Sequence, residues 1–323
     1  MAKIHASLVL CLGLAACGGG GGSGSGSAPI ITSDNYLTVA QEALATTKYL
    51  LTSGNFVSGT PAATGAPAQV LSAALPQVAR GLGAARRQLA SSSQSQTVAC
   101  PSGGSMTVTA VDANGNGVLD AGDSFSMLMA ACQSAGETVD GALGMTINSL
   151  TGDINTDVYA LGASMTFTNL ASTSAATTTT GSGSIGLVLT SRGLNDQTMA
   201  FTVPSFVTTS TYANVTHSVS LTNFGLTQTL SPSGSGFSSA FAVNGSFASS
   251  AFNNNSLTLS SISPFVQAST QAYPASGQLV VSDATQRKVR ITALSATQVK
   301  IEIDASASGV YELSVTKLWS ELL

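Results

Sequence analysis

The sequence predicts a mainly β protein: a large, curved antiparallel meander, either an open half-barrel or a sandwich, with two N-terminal helices covering its apolar face. Two observations predict this fold. In residues 97–323, short apolar segments alternate with period two and are separated by Gly, Asn, Asp and Ser, which is typical of strands and turns. No helical stretch separates these segments, so neighbouring strands are expected to run antiparallel.

The start of the chain has the composition of a bacterial export signal. Lys3 precedes an apolar run from Ala6 to Leu14, which is too short to span a bilayer. Leu14-Ala-Ala-Cys17 follows and resembles the lipobox of bacterial lipoproteins, in which the cysteine is acylated and becomes the first mature residue. We therefore expect residues 1–16 to be a signal peptide and Cys17 to carry a covalent lipid. An ordinary secretory signal that ends at a cysteine is the alternative.

A tether and a helical segment come next. Residues 17–29 are the acylated cysteine and its tether, because 18–27 contains only Gly and Ser and such a chain is flexible. Residues 30–90 form the predicted helical segment, in which apolar residues recur at helical spacing from Ser33 onward and again over 68–89. The two helices are the natural cover for a sheet with one apolar face, so 30–323 is expected to form one globular unit.

Counting cysteines leaves a single pair. Of the four cysteines, Cys11 lies in the signal peptide and Cys17 takes the lipid, so Cys100 and Cys132 remain. Outside the cytosol these two are expected to form a disulfide. The alternative is a pair of buried free thiols.

The stretch between these cysteines has the spacing of a calcium-binding loop. Oxygen-bearing side chains occupy positions 1, 3, 5, 9 and 12 of a segment with glycine at position 6, which is the EF-hand pattern. The candidate ligands are Asp112, Asn114, Asn116, Asp120 and Asp123, with the backbone carbonyl of Val118. The flanks, 106–110 and 125–129, alternate with period two, so the loop is expected to join two strands. A polar turn without metal is the alternative.

Beyond this loop the sequence predicts further strands. They span 138–150, 158–170, 183–191, 198–208, 214–230, 237–248, 255–266, 278–282, 288–294, 298–304 and 310–317. Asp140-Gly141 and Asn244-Gly245 are strong hairpin signals, so the two segments that contain them are candidates for internal hairpins.

Composition argues against several classes of function. Hydrophobic residues make up 43% of the chain, enough for a sizeable core, while a net charge of −4 offers nothing to attract nucleic acid. His217 is the only histidine after the signal peptide, too few for a usual zinc site or a convincing catalytic triad. No nucleophile elbow or phosphate-binding loop occurs. We therefore do not expect an enzyme.

Residues 197–282 contain no Asp, Glu, Lys or Arg, although eight of the eleven Phe residues lie there. This composition is compatible with a packed β core whose solvent face carries Ser, Thr and Asn, or with a sheet that contacts a lipid. Two functions follow. The first is a structural or interaction module with an unknown partner. The alternative is a carrier of a lipid or other hydrophobic ligand on the curved sheet, as in the half-barrel carriers of lipoprotein-sorting systems.

Several segments together are similar to those of a group of proteobacterial envelope lipoproteins. They are the lipobox, the helix start at 30–35, the loop between the two cysteines, the strands at 277–281 and 301–304, and Trp319-Ser-Glu-Leu322. The resemblance implies a location in the cell envelope and no particular reaction. Because Gly18 rather than Asp follows the acylated cysteine, bacterial sorting rules imply the outer membrane.

Overall fold

The computed structural model describes residues 30–54 and 95–323, except 135, 155, 157, 175–176 and 194; for residues 48–54 it describes the backbone alone. Within these residues one helix, α1 (Tyr36–Gly54), precedes fourteen strands. The strands are β1 (Ser95–Ala99), β2 (Gly103–Val111), β3 (Ser124–Ser134), β4 (Glu137–Gly152), β5 (Val158–Thr173), β6 (Thr177–Gly193), β7 (Asp196–Tyr212), β8 (Val215–Ser233), β9 (Gly236–Ser249), β10 (Ser256–Ala268), β11 (Ser276–Ser282), β12 (Lys288–Ala293), β13 (Gln298–Asp304) and β14 (Leu313–Leu318). The predicted signal peptide, Cys17 and the predicted second helix at 68–89 lie outside the described residues.

The strands form one open antiparallel sheet in which each strand pairs with its neighbours in the sequence, from β1 at one edge to β14 at the other. The predicted antiparallel meander is therefore confirmed. A sandwich would divide the strands between two sheets, and the described residues form a single one. Short connections explain this order, because a tight turn can join only antiparallel neighbours.

One face of the sheet is apolar, as the alternation predicts. In β12, Val289 and Ile291 are fully buried, while Lys288 and Arg290, which alternate with them, are partly exposed on the other face. Buried apolar side chains continue in this way from β2 to β13 and form a single core. This face is the inner face of the sheet, and its burial is the main contribution to stability.

Helix α1 packs on part of this inner face. Its buried apolar residues, Val39, Ala40, Ala43 and Leu44, recur at helical spacing and lie on one side of the helix. The helix contacts β8, β9, β11, β12 and β13. The first of the two predicted helices is thus present, and it packs on the apolar face of the sheet, as predicted.

The internal hairpins predicted at Asp140-Gly141 and Asn244-Gly245 are wrong, because both pairs lie inside continuous strands. Gly141 (φ +112°) faces a β-bulge in β5, where two residues of β5 lie opposite this one glycine. A Cβ on Gly141 would lie 2.4 Å from the carbonyl oxygen of Asn169. Gly245 meets the bulge at Asn223 in the same way, with the corresponding distance at 2.5 Å. An Asp-Gly or Asn-Gly pair favours a tight turn, but its glycine can also lie opposite a bulge in the neighbouring strand, where there is no room for a Cβ.

These bulges keep the inner face apolar. Phe167 and Leu170 are both buried although they are three residues apart in β5, because the bulge between them adds one residue and restores the alternation. Glycines whose Cβ would overlap the backbone of a neighbouring strand recur along the sheet at Gly104, Gly183 and Gly277.

Candidate functional site

The candidate calcium loop, residues 112–123, connects β2 to β3, and these two strands are paired as predicted. Gly115, Gly117 and Gly122 all have positive φ, which allows the chain to turn several times within a short segment. The loop is tied to the sheet through β4, since Gly122 N–H donates to the carbonyl of Ile147 at 2.8 Å and Ile147 N–H donates to that of Asp123 at 2.8 Å.

Asp112 occupies the first ligand position and accepts backbone hydrogen bonds from within the loop. Its two carboxylate oxygens accept from Gly115 N–H and Gly117 N–H, both at 2.6 Å. The hydrogen bond from Gly117 is the main reason that the pKa of Asp112 lies below its usual value. This carboxylate is therefore kept ionised and held in place, as a cation ligand must be.

Asp120, at the ninth position, accepts hydrogen bonds from both asparagines of the loop. One of its oxygens, Oδ2, accepts from the side-chain amides of Asn114 and Asn116, each at 2.7 Å. The other, Oδ1, is buried and is an acceptor without a partner. A buried carboxylate oxygen without a donor is costly, and a cation at that position would remove the cost.

Asp123, at the twelfth position, is fully buried and accepts hydrogen bonds from the backbone of the loop. Its oxygens accept from Ala113 N–H at 3.0 Å and from Asp120 N–H at 2.9 Å. The loop thus brings all five predicted side chains into one hydrogen-bonded segment, and the unpartnered Asp120 oxygen fits a cation there. Within the described part of the chain, no group of three or more His, Cys, Asp or Glu converges on a metal position, so any cation would depend on the asparagines and on backbone carbonyls.

The predicted disulfide is present between Cys100 and Cys132, with the two Cα atoms 5.4 Å apart. It lies at the end of the β2–β3 hairpin opposite the loop, and Cys132 is fully buried. Close by, the carboxylate of Asp140 accepts from Ala131 N–H at 2.7 Å. The hairpin is therefore fixed at both of its ends, by the disulfide at one and by the contacts with β4 at the other.

A second set of contacts, which the sequence did not predict, holds the start of the fold. Oδ2 of Asp283, in the turn between β11 and β12, accepts from Ile30 N–H at 3.0 Å and from Ile31 N–H at 3.1 Å. Its other oxygen accepts from Thr285 and from Arg287 N–H, while the Arg287 guanidinium donates to the carbonyl of Ile31. Burial by itself would raise the pKa of Asp283, but these hydrogen bonds outweigh it and the pKa is lowered. We call this group of contacts the Asp283 clamp.

His217 belongs to a third set of contacts that the sequence also missed. Its Nε2 lies 3.1 Å from Ser249 Oγ and 3.4 Å from Glu42 Oε1, and Ser249 Oγ donates to Glu42 Oε2 at 3.0 Å. The hydrogen bond with Glu42 raises the pKa of His217 above its ordinary value. A catalytic triad uses the two ring nitrogens for two different partners, whereas here Nε2 faces both. The arrangement joins α1 to β8 and β9.

An apolar cavity of about 90 Å³ lies where α1 approaches the C-terminus. Its lining includes Leu44, Phe241, Phe265, Tyr273 and Trp319. The rings of Tyr273 and Trp319 are stacked with centroids 6.1 Å apart, and Trp319 Nε1–H donates to the carbonyl of Ser295.

Among the described residues, no helix is long and apolar enough to cross a bilayer. Comparison of the chain with protein-family models, with curated proteins and with solved structures finds no significant match. The candidate sites therefore depend on the geometry of this chain alone.

Proposed function

We propose that the chain is a lipid-anchored protein of the bacterial cell envelope, placed in the outer membrane, which acts as a structural or interaction module. The observation that carries the proposal is the Asp283 clamp. It fixes the backbone at Ile30, three positions after the Gly/Ser stretch ends at Ser27, so the expected tether would lead into a backbone that is bonded to the sheet. A force on the lipid anchor would then act on the sheet through the hydrogen bonds between Ile30, Ile31 and Asp283.

The test of the anchor is acylation of Cys17. We expect wild-type protein expressed in a bacterial host to incorporate labelled palmitate and to stay with the membrane after a carbonate wash. A Cys17→Ser variant should lose both properties. Cys11→Ser, which changes a cysteine in the same segment, is the matched control and should behave like wild type. Equal membrane retention of the Cys17→Ser variant would refute the anchor, and sucrose-gradient separation of the two membranes tests the outer-membrane location.

Calcium binding by residues 112–123 is the second part of the proposal, and its role would be structural. The buried, unpartnered oxygen of Asp120 supports it, as does the lowered pKa of Asp112 in the same loop. Extracellular calcium modules have dissociation constants of about 0.1–1 mM, and calcium at ten times that value would stabilise the fold by about 1.4 kcal/mol.

Melting curves with calcium and with chelator test this site. The melting temperature should rise with millimolar calcium in wild type, less with magnesium, and not in an Asp120→Asn variant. Asp153→Asn is the matched control, because Asp153 is an acid in the neighbouring β4–β5 turn, and it should respond like wild type. If neither calcium nor chelator changes the melting temperature of the wild type, calcium binding is refuted and the loop is a metal-free polar turn.

The alternative is a lipid carrier on a curved half-barrel. The cavity beside Trp319 has a volume of about 90 Å³, smaller than an apolar cavity of about 150 Å³ that binds benzene, so this particular cavity is too small for an acyl chain. Native mass spectrometry after mild extraction separates the two functions: a co-purified lipid would favour the carrier, and an empty protein the module. We also propose that a second helix, at 68–89, covers the sheet; this part of the proposal is supported by the sequence pattern alone.

A further inference from the structure

The sequence contains three Asn-Gly pairs, and two of them lie in the loop 112–123. They are Asn114-Gly115 and Asn116-Gly117, and the side chains of both asparagines are exposed. An asparagine can lose its side-chain amide when the backbone nitrogen of the next residue attacks the side-chain carbonyl carbon. A glycine at that next position hinders the attack least, because it has no Cβ and its backbone is the most adaptable. Both pairs therefore have the composition of a self-modifying site.

In the first pair the asparagine side chain bends back along the chain. Asn114 Oδ1 accepts from Asn116 N–H at 3.0 Å, which places its amide group beside the peptide unit of Gly115. This hydrogen bond also polarises the carbonyl that would be attacked. The attacking nitrogen, that of Gly115, donates to the Asp112 carboxylate at 2.6 Å. The nitrogen that would leave, Asn114 Nδ2, donates to the Asp120 carboxylate at 2.7 Å.

The second pair repeats this arrangement two residues later. Asn116 Oδ1 accepts from Val118 N–H at 2.7 Å. Gly117 N–H donates to the other oxygen of Asp112 at 2.6 Å, and Asn116 Nδ2 donates to the same Asp120 oxygen at 2.7 Å. One carboxylate thus accepts from both attacking nitrogens, and a second carboxylate accepts from both nitrogens that would leave.

We propose that Asn114 and Asn116 are sites of spontaneous deamidation, and that their conversion to aspartate increases the affinity of the loop for calcium. The glycine nitrogen bonds to the side-chain carbonyl carbon, and the bond from that carbon to the amide nitrogen breaks. The proton of the glycine nitrogen, which Asp112 is placed to accept, leaves with the amide nitrogen as ammonia. Water then opens the succinimide ring and leaves a carboxylate, on an aspartate or an isoaspartate. The net reaction exchanges ammonia for water, and nothing is oxidised or reduced.

The product has a different charge balance from the loop described above. The two amides are donors to Asp120, whereas a carboxylate in place of either amide cannot donate and repels Asp120. A cation would remove this repulsion, and the EF-hand pattern accepts aspartate at positions 3 and 5. Deamidation therefore converts a loop that is hydrogen-bonded to itself into one that needs a cation. This consequence rests on the calcium site of the proposed function, whereas the deamidation itself does not.

The third pair, Asn244-Gly245, is an internal control with an equally exposed asparagine. Asn244 is paired with Gly225 of β8 and with Ser260 of β10, so its backbone is held extended from both sides. Its Oδ1 lies 2.5 Å from the position of a Cβ on Gly225, so the side chain leans towards β8. Ring closure would require this peptide to rotate out of the sheet and break ladder hydrogen bonds. We expect Asn244 to keep its amide.

Mass spectrometry of the folded, full-length protein tests the deamidation. Wild-type protein is incubated in mildly alkaline buffer with chelator and digested at low pH with pepsin, and the peptides that contain the three pairs are followed over time. The same protein unfolded in urea gives the rates without structure. The matched variant is Asn114→Gln with Asn116→Gln, because glutamine would have to close a larger ring.

We expect the loop peptide to gain the mass difference between water and ammonia several-fold faster than the peptide with Asn244, and the glutamine variant to gain none in the loop. Equal rates for the two peptides in folded protein would overturn the proposal. A loop that keeps both amides in folded protein while unfolded protein loses them would overturn it as well.

The effect on calcium is tested with the variant Asn114→Asp, Asn116→Asp. Calcium should raise its melting temperature more than it raises that of freshly purified wild type. An equal rise in the two proteins would overturn the proposed gain in affinity. No rise in either protein would refute the calcium site, and the gain in affinity with it, while the mass spectra decide the deamidation independently.

Discussion

Replacing Gly141 by Ala tests whether the Asp140-Gly141 pair marks a bulge. A Cβ at this position would lie 2.4 Å from the carbonyl oxygen of Asn169 and 2.7 Å from the Cα of Leu170, both backbone atoms of β5. Its φ of +112° is also a conformation that residues with a side chain rarely adopt. The backbone strain costs about 1–3 kcal/mol and the overlap costs a further amount of about 1–3 kcal/mol. We expect Gly141→Ala to lower the free energy of unfolding by about 4 kcal/mol.

Gly144→Ala is the matched control in the same strand. A Cβ there meets nothing within 4 Å, and the residue has no positive φ. Its substitution should change stability by no more than about 1 kcal/mol, in the stabilising direction, because glycine inside a strand is itself unfavourable. The assay is urea unfolding of the Cys17→Ser form, followed by the fluorescence of the buried Trp319. Equal unfolding midpoints for the two variants would contradict the bulge argument.

The remaining predictions concern three sets of contacts that hold the fold together. Replacing Cys100 and Cys132 by Ala should cost about 3.7 kcal/mol, because the disulfide closes a loop with a sequence separation of 32; a urea midpoint that reductant leaves unchanged in wild type would contradict this. The raised pKa of His217 means that its contact with Glu42 stabilises the fold fully below the ordinary histidine pKa of 6.5 and loses this effect as pH rises through the folded-state pKa. The stability difference between wild type and Glu42→Gln should therefore shrink as pH rises above about 6.5. A difference that stays constant with pH would show that protonation of His217 does not contribute to it. Asp283→Asn should cost about 2–4 kcal/mol and speed proteolysis near Ile30, since an amide cannot accept all the bonds that this carboxylate accepts; unchanged cleavage would show that the Asp283 clamp does not hold the chain. For the same carboxylate the lowered pKa predicts that wild-type stability falls below about pH 3.8 as the group is protonated.

Most strands were predictable from the sequence because one face is apolar and the turns contain Gly, Asn and Asp. The segment 298–304 is predicted with the bounds that β13 has. In contrast, β6 begins at Thr177, six residues before its predicted start at Gly183. Its first residues are hydroxyl-bearing on both faces, and Thr179 is buried through a hydrogen bond with Ser210 at 3.0 Å. Because the buried residue is a hydrogen-bonded threonine and not an apolar residue, this part of β6 shows no alternation of apolar and polar residues in the sequence.

That residues 112–123 connect two paired strands was predictable, because the alternation in the flanking segments is a local signal. The Asp283 clamp was not, since Ile30 and Asp283 are separated by 253 positions. Glu42 and Ser249, separated by 207 positions, meet for the same reason only after the sheet has formed. Contacts of this kind depend on which elements pack together, and no spacing rule in the sequence encodes them.

The strict neighbour-to-neighbour order of the strands has a consequence for the order of folding. Every strand finds its partner next to it in the sequence, so loop closure costs little and strands can be added one at a time as the chain is made. Helix α1 is the exception, because most of its contacts are with β8, β9, β11, β12 and β13 and its start is held by the Asp283 turn. Among the described elements, α1 is therefore made first, yet it can form all of these contacts only after β13 has been made.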